Sequence, residues 1–593
     1  PSRSEEGRRG ATRAGSESIN SMLEDVGMLS DLSNLPAFMR RHRFVIAAAA
    51  IITVGVALRL TLIAIGWPHS DSEEGTMGLE AMHILLRGEH PVYLYGQSYM
   101  GAGEAYVGAL AFRLFGISTF TLRLGMIAFF AIFLASVCWL ASVLYSRRVA
   151  LVSLALLVLG TPFLVQIELL ADGGKVDVLA AGAVLFALAV WLGLSAGSEP
   201  PSRRHRWLRR LAFFAWGLIG GWGLYTYMII APFVVTSAVL LWILCRRELR
   251  GWLLALPPAG MLIGLLPAIA YAASMPPADN PLAVFLSLHN SPVPAGFQHG
   301  WHLVVKQVEA TVLFTLPEVT GLIPPFPIQA MPFFGPLRLS TVAAVVIGGG
   351  WSLVYLSLLG VATYRPLYIL RKHWLLRRTG QFTRDSVSQG RESARLLLGL
   401  AGWLTIAAYA ASPTAAVNPG SGRYMVGLLI VLPAVLWPLV DGMRLPWVRL
   451  KALGLALPPV LLLLMAASQV TGAVAIVRAV PTVRGWNQQD ARLTRDLLSR
   501  GITLFYSDYW TCDLLSFETH ERLICGVVTS YAQPGYIRYP NYYAAVQADP
   551  RAPYMFVQGS SLQQTFVVHM AATHVRYSAQ YLDGYVIYTP APA

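Results

Sequence analysis

The sequence predicts a polytopic α-helical membrane protein of about eleven transmembrane helices with a small C-terminal α/β domain. Three observations predict it. Of 593 residues, 55% are hydrophobic and 13% charged, about half the ~25% charged content usual in soluble proteins. Many apolar runs approach the ~20 residues that cross a bilayer. From Trp486 onward the long runs give way to short stretches bounded by turn residues, as in soluble strands and helices.

The net charge of +14 suggests nucleic acid, but its distribution excludes that partner. Basic residues collect between alternate runs: Arg147-Arg148, Arg203 to Arg210, Arg246 to Arg250, Arg365 to Arg395, and Arg444 to Lys451. That bias is the positive-inside signature of a multi-pass membrane protein. The C-terminal segment mixes both signs nearly evenly, so it carries no basic footprint.

Taken in order, residues 1–42 are polar and read as a cytosolic, mostly disordered tail. No short apolar run with a small-residue cleavage site follows, so no cleaved signal peptide is expected. Residues 43–480 form the membrane domain. Its spans are expected at 44–66, 121–144, 149–167, 176–196, two short spans in 211–244 turning near Tyr225, then 252–273, 341–363, 396–412, 425–441 and 452–477. Arg59 lies in the first span, where its long side chain can snorkel outward. Eleven spans put the N-terminus in the cytoplasm, every basic loop with it, and the C-terminus outside the cell (inner) membrane.

The expected outer loop 67–118 holds two interfacial helices, 76–87 and 103–115. In the first, Met77, Ala81, Ile84 and Leu85 make one apolar stripe. Residues 481–593 form the extracytoplasmic domain. Strands are expected at 504–507, 522–528, 554–557 and 585–588, and helices at 489–500, 541–548 and 560–571. Cys512 and Cys525 fall on the outer side, where oxidising conditions favour a disulfide. Cys138 and Cys245 lie in apolar runs, and no CxxC pair points to zinc.

Three carboxylates, Asp71, Glu73 and Glu74, stand where the first span ends. Acids at a helix start favour the macrodipole. Ionisable groups at a membrane edge are also functional candidates. Two further acids and four cations share that side: Asp172 and Glu104, with Lys175, Arg423, Arg123 and Arg87. The pair His299 and His302 has helical spacing but no third ligand, so it reads as loop histidines, not a metal site; His289 precedes it in the same Pro-rich segment.

The block from Asp71 to Arg123 resembles the first outer loop of the GT-C glycosyltransferases, in the bacterial branch related to protein O-mannosyltransferases and the aminoarabinose-to-lipid A transferase. The residues that carry it are Asp71-Ser-Glu-Glu-Gly75, Gly78-Leu-Glu-Ala-Met-His-Ile-Leu-Leu-Arg-Gly88, Tyr95-Gly-Gln-Ser-Tyr-Met-Gly-Ala-Gly-Glu-Ala-Tyr106, Phe112-Arg-Leu-Phe-Gly116 and Leu122-Arg-Leu124. Gly223-Leu-Tyr-Thr-Tyr227 and Gly422-Arg-Tyr424 are also similar. The resemblance implies an outer-face enzyme that moves a sugar from a polyprenyl-phosphate carrier to an acceptor hydroxyl with inversion. The acceptor is a lipid, glycan or protein.

The resemblance further implies a catalytic carboxylate after the first span. Asp71 stands there; Ser72 separates it from Glu73, so Glu74 stays the alternative base. A departing lipid phosphate needs a base on the acceptor more than an acid on the leaving group. It also needs cations, for which Lys175, Arg423, Arg123 and Arg87 are candidates. Arg87 and Arg123 would serve equally as headgroup anchors. Asp172 would orient the acceptor or pair with Lys175, and Glu104 would support the donor site. A divalent metal stays open, through Asp71-Ser-Glu73. Two other classes compete: a transporter or flippase for a lipid-linked substrate, and a non-catalytic scaffold. Transporters commonly show inverted repeats and midplane charges; no repeat is visible here, and the charges gather at one interface.

Overall fold

The computed structural model describes residues 28–196, 202–276, 280–289, 300–322, 344–378, 386–413, 415, 421–441 and 451–590. The chain forms two compact units, Pro1–Thr53 and Val54–Ala593. In the first unit the described residues are helical from Met28 onward. Residues 28–42 of the expected disordered tail are therefore helix; Leu29, Leu32, Leu35 and Met39 recur at helical spacing there. Residues 1–27 and His299 lie outside the described residues, while His302 sits exposed on helix Trp301–Ala310.

Among the described residues, eight helices are long and apolar enough to cross a membrane, and nine if the bent pair Arg147–Leu159 and Pro162–Leu169 is one broken span. The 85° bend falls at Gly160-Thr-Pro162, where proline cannot continue the helix. The two remaining expected spans are helix Arg203–Thr226, whose first turns are arginine-rich, and the 13-residue helix Leu428–Val440. The protein is thus a multi-pass membrane protein. The turn expected near Tyr225 is present: the helix stops at Thr226, and Ala231–Cys245 follows a short 3-10 turn.

Helices Arg203–Thr226 and Leu256–Ser274 touch backbone to backbone. A Cβ on Gly217 would lie 2.0 Å from the Pro257 carbonyl oxygen, and one on Gly221 2.2 Å from that of Met261. Gly260 and Gly264 return the same contact against Phe214 and Leu218. Two GxxxG faces therefore meet, the arrangement that lets membrane helices approach closely.

Arg59 does not snorkel. It is 1% exposed and donates from Nε and Nη2 to Glu168 Oε2 at 3.1 and 2.6 Å. Its guanidinium also reaches the Val158 carbonyl and stands 4.7 Å from the Phe130 ring. A charge at that depth stays buried because a carboxylate and free helix carbonyls satisfy it.

The 49-residue helix Lys451–Ser499 spans about 74 Å at 1.5 Å per residue, far more than the ~30 Å hydrocarbon core. Its last turns enter the C-terminal sheet, where Leu493 and Leu497 pack on Phe505, Leu515 and Met555. The expected change of pattern near 480 thus falls inside one continuous helix. The sheet has five strands: β1 Leu504–Ser507, β2 Ile524–Val527, β3 Tyr554–Val557, β4 Tyr577–Leu582 and β5 Tyr585–Pro590. Their order is β2-β1-β3-β5-β4, with β1 parallel to β2 and β3, and β5 antiparallel to β3 and β4. Edge strand β4 and helix Tyr509–Glu518 are additions to the sequence reading. The expected disulfide is formed between Cys512 of that helix and Cys525 of β2.

Candidate active site

Asp71 begins helix Ser72–Arg87. Its extended backbone leaves Oδ1 to accept from the Glu74 amide at 2.9 Å, so Asp71 is the N-cap. This helix carries small residues on one face. Ser72, Gly75, Thr76 and Gly78 let helix Tyr509–Glu518 of the C-terminal domain approach: a Cβ on Gly75 would lie 2.6 Å from Leu514 N, and one on Gly78 2.6 Å from the Phe517 ring. Ser72 Oγ accepts from the Asp513 amide at 3.1 Å. Burial raises the Asp513 carboxyl to about 6.

The loop that follows is held from both sides. On one side, Tyr225 pairs with the Val92 carbonyl and accepts from the Ala102 amide at 3.2 Å, while Gly101 N donates to Thr226 O at 2.9 Å. On the other side, the Tyr536 hydroxyl donates to Gly96 O at 2.6 Å. A third loop, Ala171 to Lys175, rests on Glu104, whose two oxygens accept from Gly173 N at 3.0 Å and Gly174 N at 3.1 Å.

These pieces bring Asp71, Glu73, Asp172, Lys175 and Arg423 together. Burial, then the nearby Asp172 and Glu73 charges, raise Asp71 to about 7. Among the described residues its Oδ2 is buried without a hydrogen-bond partner, as is Oδ1 of Asp172. Asp172 pairs through Oδ2 with Lys175, and both are nearly fully buried. Burial raises the Asp172 carboxyl against the opposing pull of Lys175. Arg423, partly exposed, lies 3.5 Å from Glu73 and donates to the Tyr424 hydroxyl at 3.2 Å. Tyr99, Tyr227 and Tyr424 line this end, with Tyr227 6.3 Å from each of the other two rings.

Glu74 and Arg123 are brought together as a closed, buried pair. Glu74 is 0% exposed, and Arg123 grips it from Nε at 2.8 Å and Nη2 at 2.5 Å. Ser70 Oγ and the Ala171 amide complete Glu74, and Arg123 Nη1 donates to Pro68 O. The local reason is the helix start: Asp71 as N-cap turns Glu74 toward Arg123 of helix Thr119–Leu144. Arg87 is not at this site. It ends the 16-residue helix, about 24 Å along it, and pairs with Glu521 beside Tyr539. Two groups were missed in the sequence. Arg538, from the C-terminal domain, lies 3.6 Å from Glu73. Glu318 has an oxygen 3.2 Å from where a Cβ on Gly422 would stand, and burial raises it to about 8. Nothing in the local sequence of either marks it. Among the described residues no group of three or more His, Cys, Asp or Glu is arranged to hold a metal ion.

The sequence matches no family model and no curated protein. The structure does match solved ones. ArnT from Cupriavidus metallidurans bound to undecaprenyl phosphate aligns over 92% of this chain and 98% of its own, at TM-score 0.53 and 14% identity. The apo oligosaccharyltransferase of Archaeoglobus fulgidus aligns over 94% of this chain and 75% of its own, at TM-score 0.51 and 13% identity. Both similarities run through the membrane helices and onward into the C-terminal domain, and at these identities they speak for architecture. The chain has the GT-C fold.

Proposed function

We propose that this protein is a membrane glycosyltransferase that moves a sugar from a polyprenyl-phosphate carrier to an acceptor hydroxyl with inversion. The observation that carries the reading is Asp71: a carboxyl held near pH 7, with one oxygen committed to the helix cap and the other unpartnered among the described residues. A base works best when its pKa lies near the operating pH. The two similar structures support the donor class, one being bound to undecaprenyl phosphate and the other an oligosaccharyltransferase.

In this mechanism the acceptor hydroxyl lies against Asp71 Oδ2. Asp71 takes its proton as the oxygen attacks the anomeric carbon, and the bond to the lipid phosphate breaks on the opposite face. Arg423 balances the charge left on the phosphate by a planar fork, and Lys175, while paired with Asp172, adds a point charge. Glu104 fixes the loop that carries Asp172 and Lys175. The Glu74–Arg123 pair fixes the helix start that aims Asp71. The Cys512–Cys525 disulfide supports an extracytoplasmic face for the domain docked on this helix, since disulfides persist in oxidising compartments.

The test is mass spectrometry of products after the purified full chain meets a panel of undecaprenyl-phosphate sugars and crude envelope extract. A sugar-bearing product with released undecaprenyl phosphate is expected. Donors that remain intact across the panel with active lipid present would overturn the reading. For orientation, Ser561→Cys, at an exposed position, should react with an impermeant label on intact cells. Reaction only after permeabilisation would reverse it.

A further inference from the structure

Glu73 stands between two arginines from different parts of the chain. Arg423 approaches one of its oxygens at 3.5 Å, and Nη2 of Arg538 lies 3.6 Å from the other. Arg538 comes from the segment between β2 and helix Pro540–Gln547, in the C-terminal domain. Its guanidinium is held on every side. Nε and Nη2 donate to the Tyr509 hydroxyl at 3.0 and 2.5 Å, and Nη1 donates to the Tyr95 carbonyl at 3.2 Å. The Tyr536 ring lies 4.9 Å from its centre.

The arginine is 3% exposed, and burying a charge is costly unless an opposite charge meets it. Among the described residues the carboxylate in ion-pair reach of it is Glu73, and its charge also acts on Glu80 and Asp513. The surrounding groups explain why this matters. Lys175 is committed to Asp172, and Arg123 to Glu74. Arg423, beside Tyr424, is the other cation at Glu73 among the described residues. Glu73 and Asp172 both press on Asp71 as like charges, and Tyr99 and Tyr509 add no positive charge.

We propose that Arg538 is a positioning residue for transfer: the C-terminal domain delivers it to hold Glu73 and neutralise that carboxylate, so that Asp71 faces the acceptor as the free base. This rests on the reading of Asp71 as general base. The membrane domain alone then carries an incomplete site, because one of the two cations at Glu73 comes from the C-terminal domain.

The experiment uses the full chain in nanodiscs, with the undecaprenyl-phosphate sugar that the wild type consumes, and follows initial rate against pH. Arg538→Gln leaves Glu73 less neutralised, which raises proton affinity at Asp71. The acidic limb of the profile should move up by about half to one pH unit. Adding Glu73→Gln to that variant should bring the limb back, a rescue that a merely structural role for Arg538 would not produce. An Arg538→Gln profile lowered at all pH values without displacement, or a displacement that persists in the double variant, overturns the proposal. If Arg538→Gln does not fold, the uncharged Arg538→Met with and without Glu73→Gln carries the same two outcomes: displaced and restored supports it, an identical limb overturns it. A wild type that transfers nothing removes both this inference and the function it rests on. A wild type that transfers, with an unmoved limb in the variants, removes this inference alone.

Discussion

Thr76 donates its hydroxyl to Asp513 at 2.7 Å, joining residues 437 positions apart in sequence. Thr76 lies one turn into the helix that Asp71 caps, and Asp513 is in the helix of the C-terminal domain laid against it. The candidate base and the domain beyond the membrane are thus parts of one packed unit, and the predictions follow from it.

Asp71→Asn keeps the helix cap, since Asn caps as well as Asp, but cannot take a proton. A general base contributes typically about 10²- to 10⁴-fold, so sugar transfer should fall by that order in a radiolabelled-donor assay while donor binding persists. Stability should move the opposite way. The folded-state pKa of Asp71 is raised from 3.8 to about 7. The native state therefore holds this proton more tightly than the unfolded chain, and the wild type loses stability as pH rises from about 4 to about 7. Thermal unfolding at pH 8 should find Asp71→Asn at least as stable as wild type, with the difference shrinking toward pH 4.

For the Glu74–Arg123 pair, the expected result is structural. Arg123→Gln leaves a fully buried carboxylate without its cation, at a cost of about 3–5 kcal/mol. Replacing both partners, as in Glu74→Met with Arg123→Leu, should recover most of that loss. Denaturation midpoints of the single and double variants decide it; equal loss in both would assign the effect to the other bonds of Glu74.

Gly75→Val puts side-chain carbon where the Leu514 backbone now stands. Overpacking of this kind costs typically about 1–3 kcal/mol. The C-terminal domain should loosen from the helix, shown by faster hydrogen exchange in residues 509–518 and slower transfer. A conventional helix surface would tolerate Val at that position with little change.

In the proposed mechanism, Arg423→Gln removes a partly exposed cation from the lipid phosphate. Hydrogen bonds to charged groups are worth about 1.5–3 kcal/mol, so the donor KM should rise by roughly 10- to 100-fold with the fold intact. An unchanged donor KM would take Arg423 out of the phosphate site.

What the sequence shows and what it hides have a common cause. Asp71, Asp172, Lys175 and Arg423 all stand in short polar segments beside long apolar helices, where any charge is conspicuous. The structure brings these four together. The choice between Asp71 and Glu74 is invisible at that level, because both lie within one turn and only the helix cap decides which points inward. Arg59 reads as a lone membrane charge, since Glu168 lies 109 residues away. Arg538 gives no local sign of its place: its neighbours are ordinary for a loop of tyrosines, and its partner Glu73 is reached only through the docking of a whole domain. Helix Tyr509–Glu518 lacks a clean apolar stripe, because both its faces are buried, one on the sheet and one on the helix begun by Asp71.

The Thr76–Asp513 bond also sets an order in time. Chains are made at about 5–20 residues per second, so a gap of 437 positions leaves the first helix waiting roughly 20–90 seconds for its partner. During that interval the small face of Ser72, Gly75, Thr76 and Gly78 lies bare, and Glu73 has yet to meet Arg538. In the reading proposed here Asp71 consequently works without its full set of neighbours until residue 538 has been made, and a chain that stops between residues 480 and 538 has its membrane helices but neither the docked helix nor that arginine.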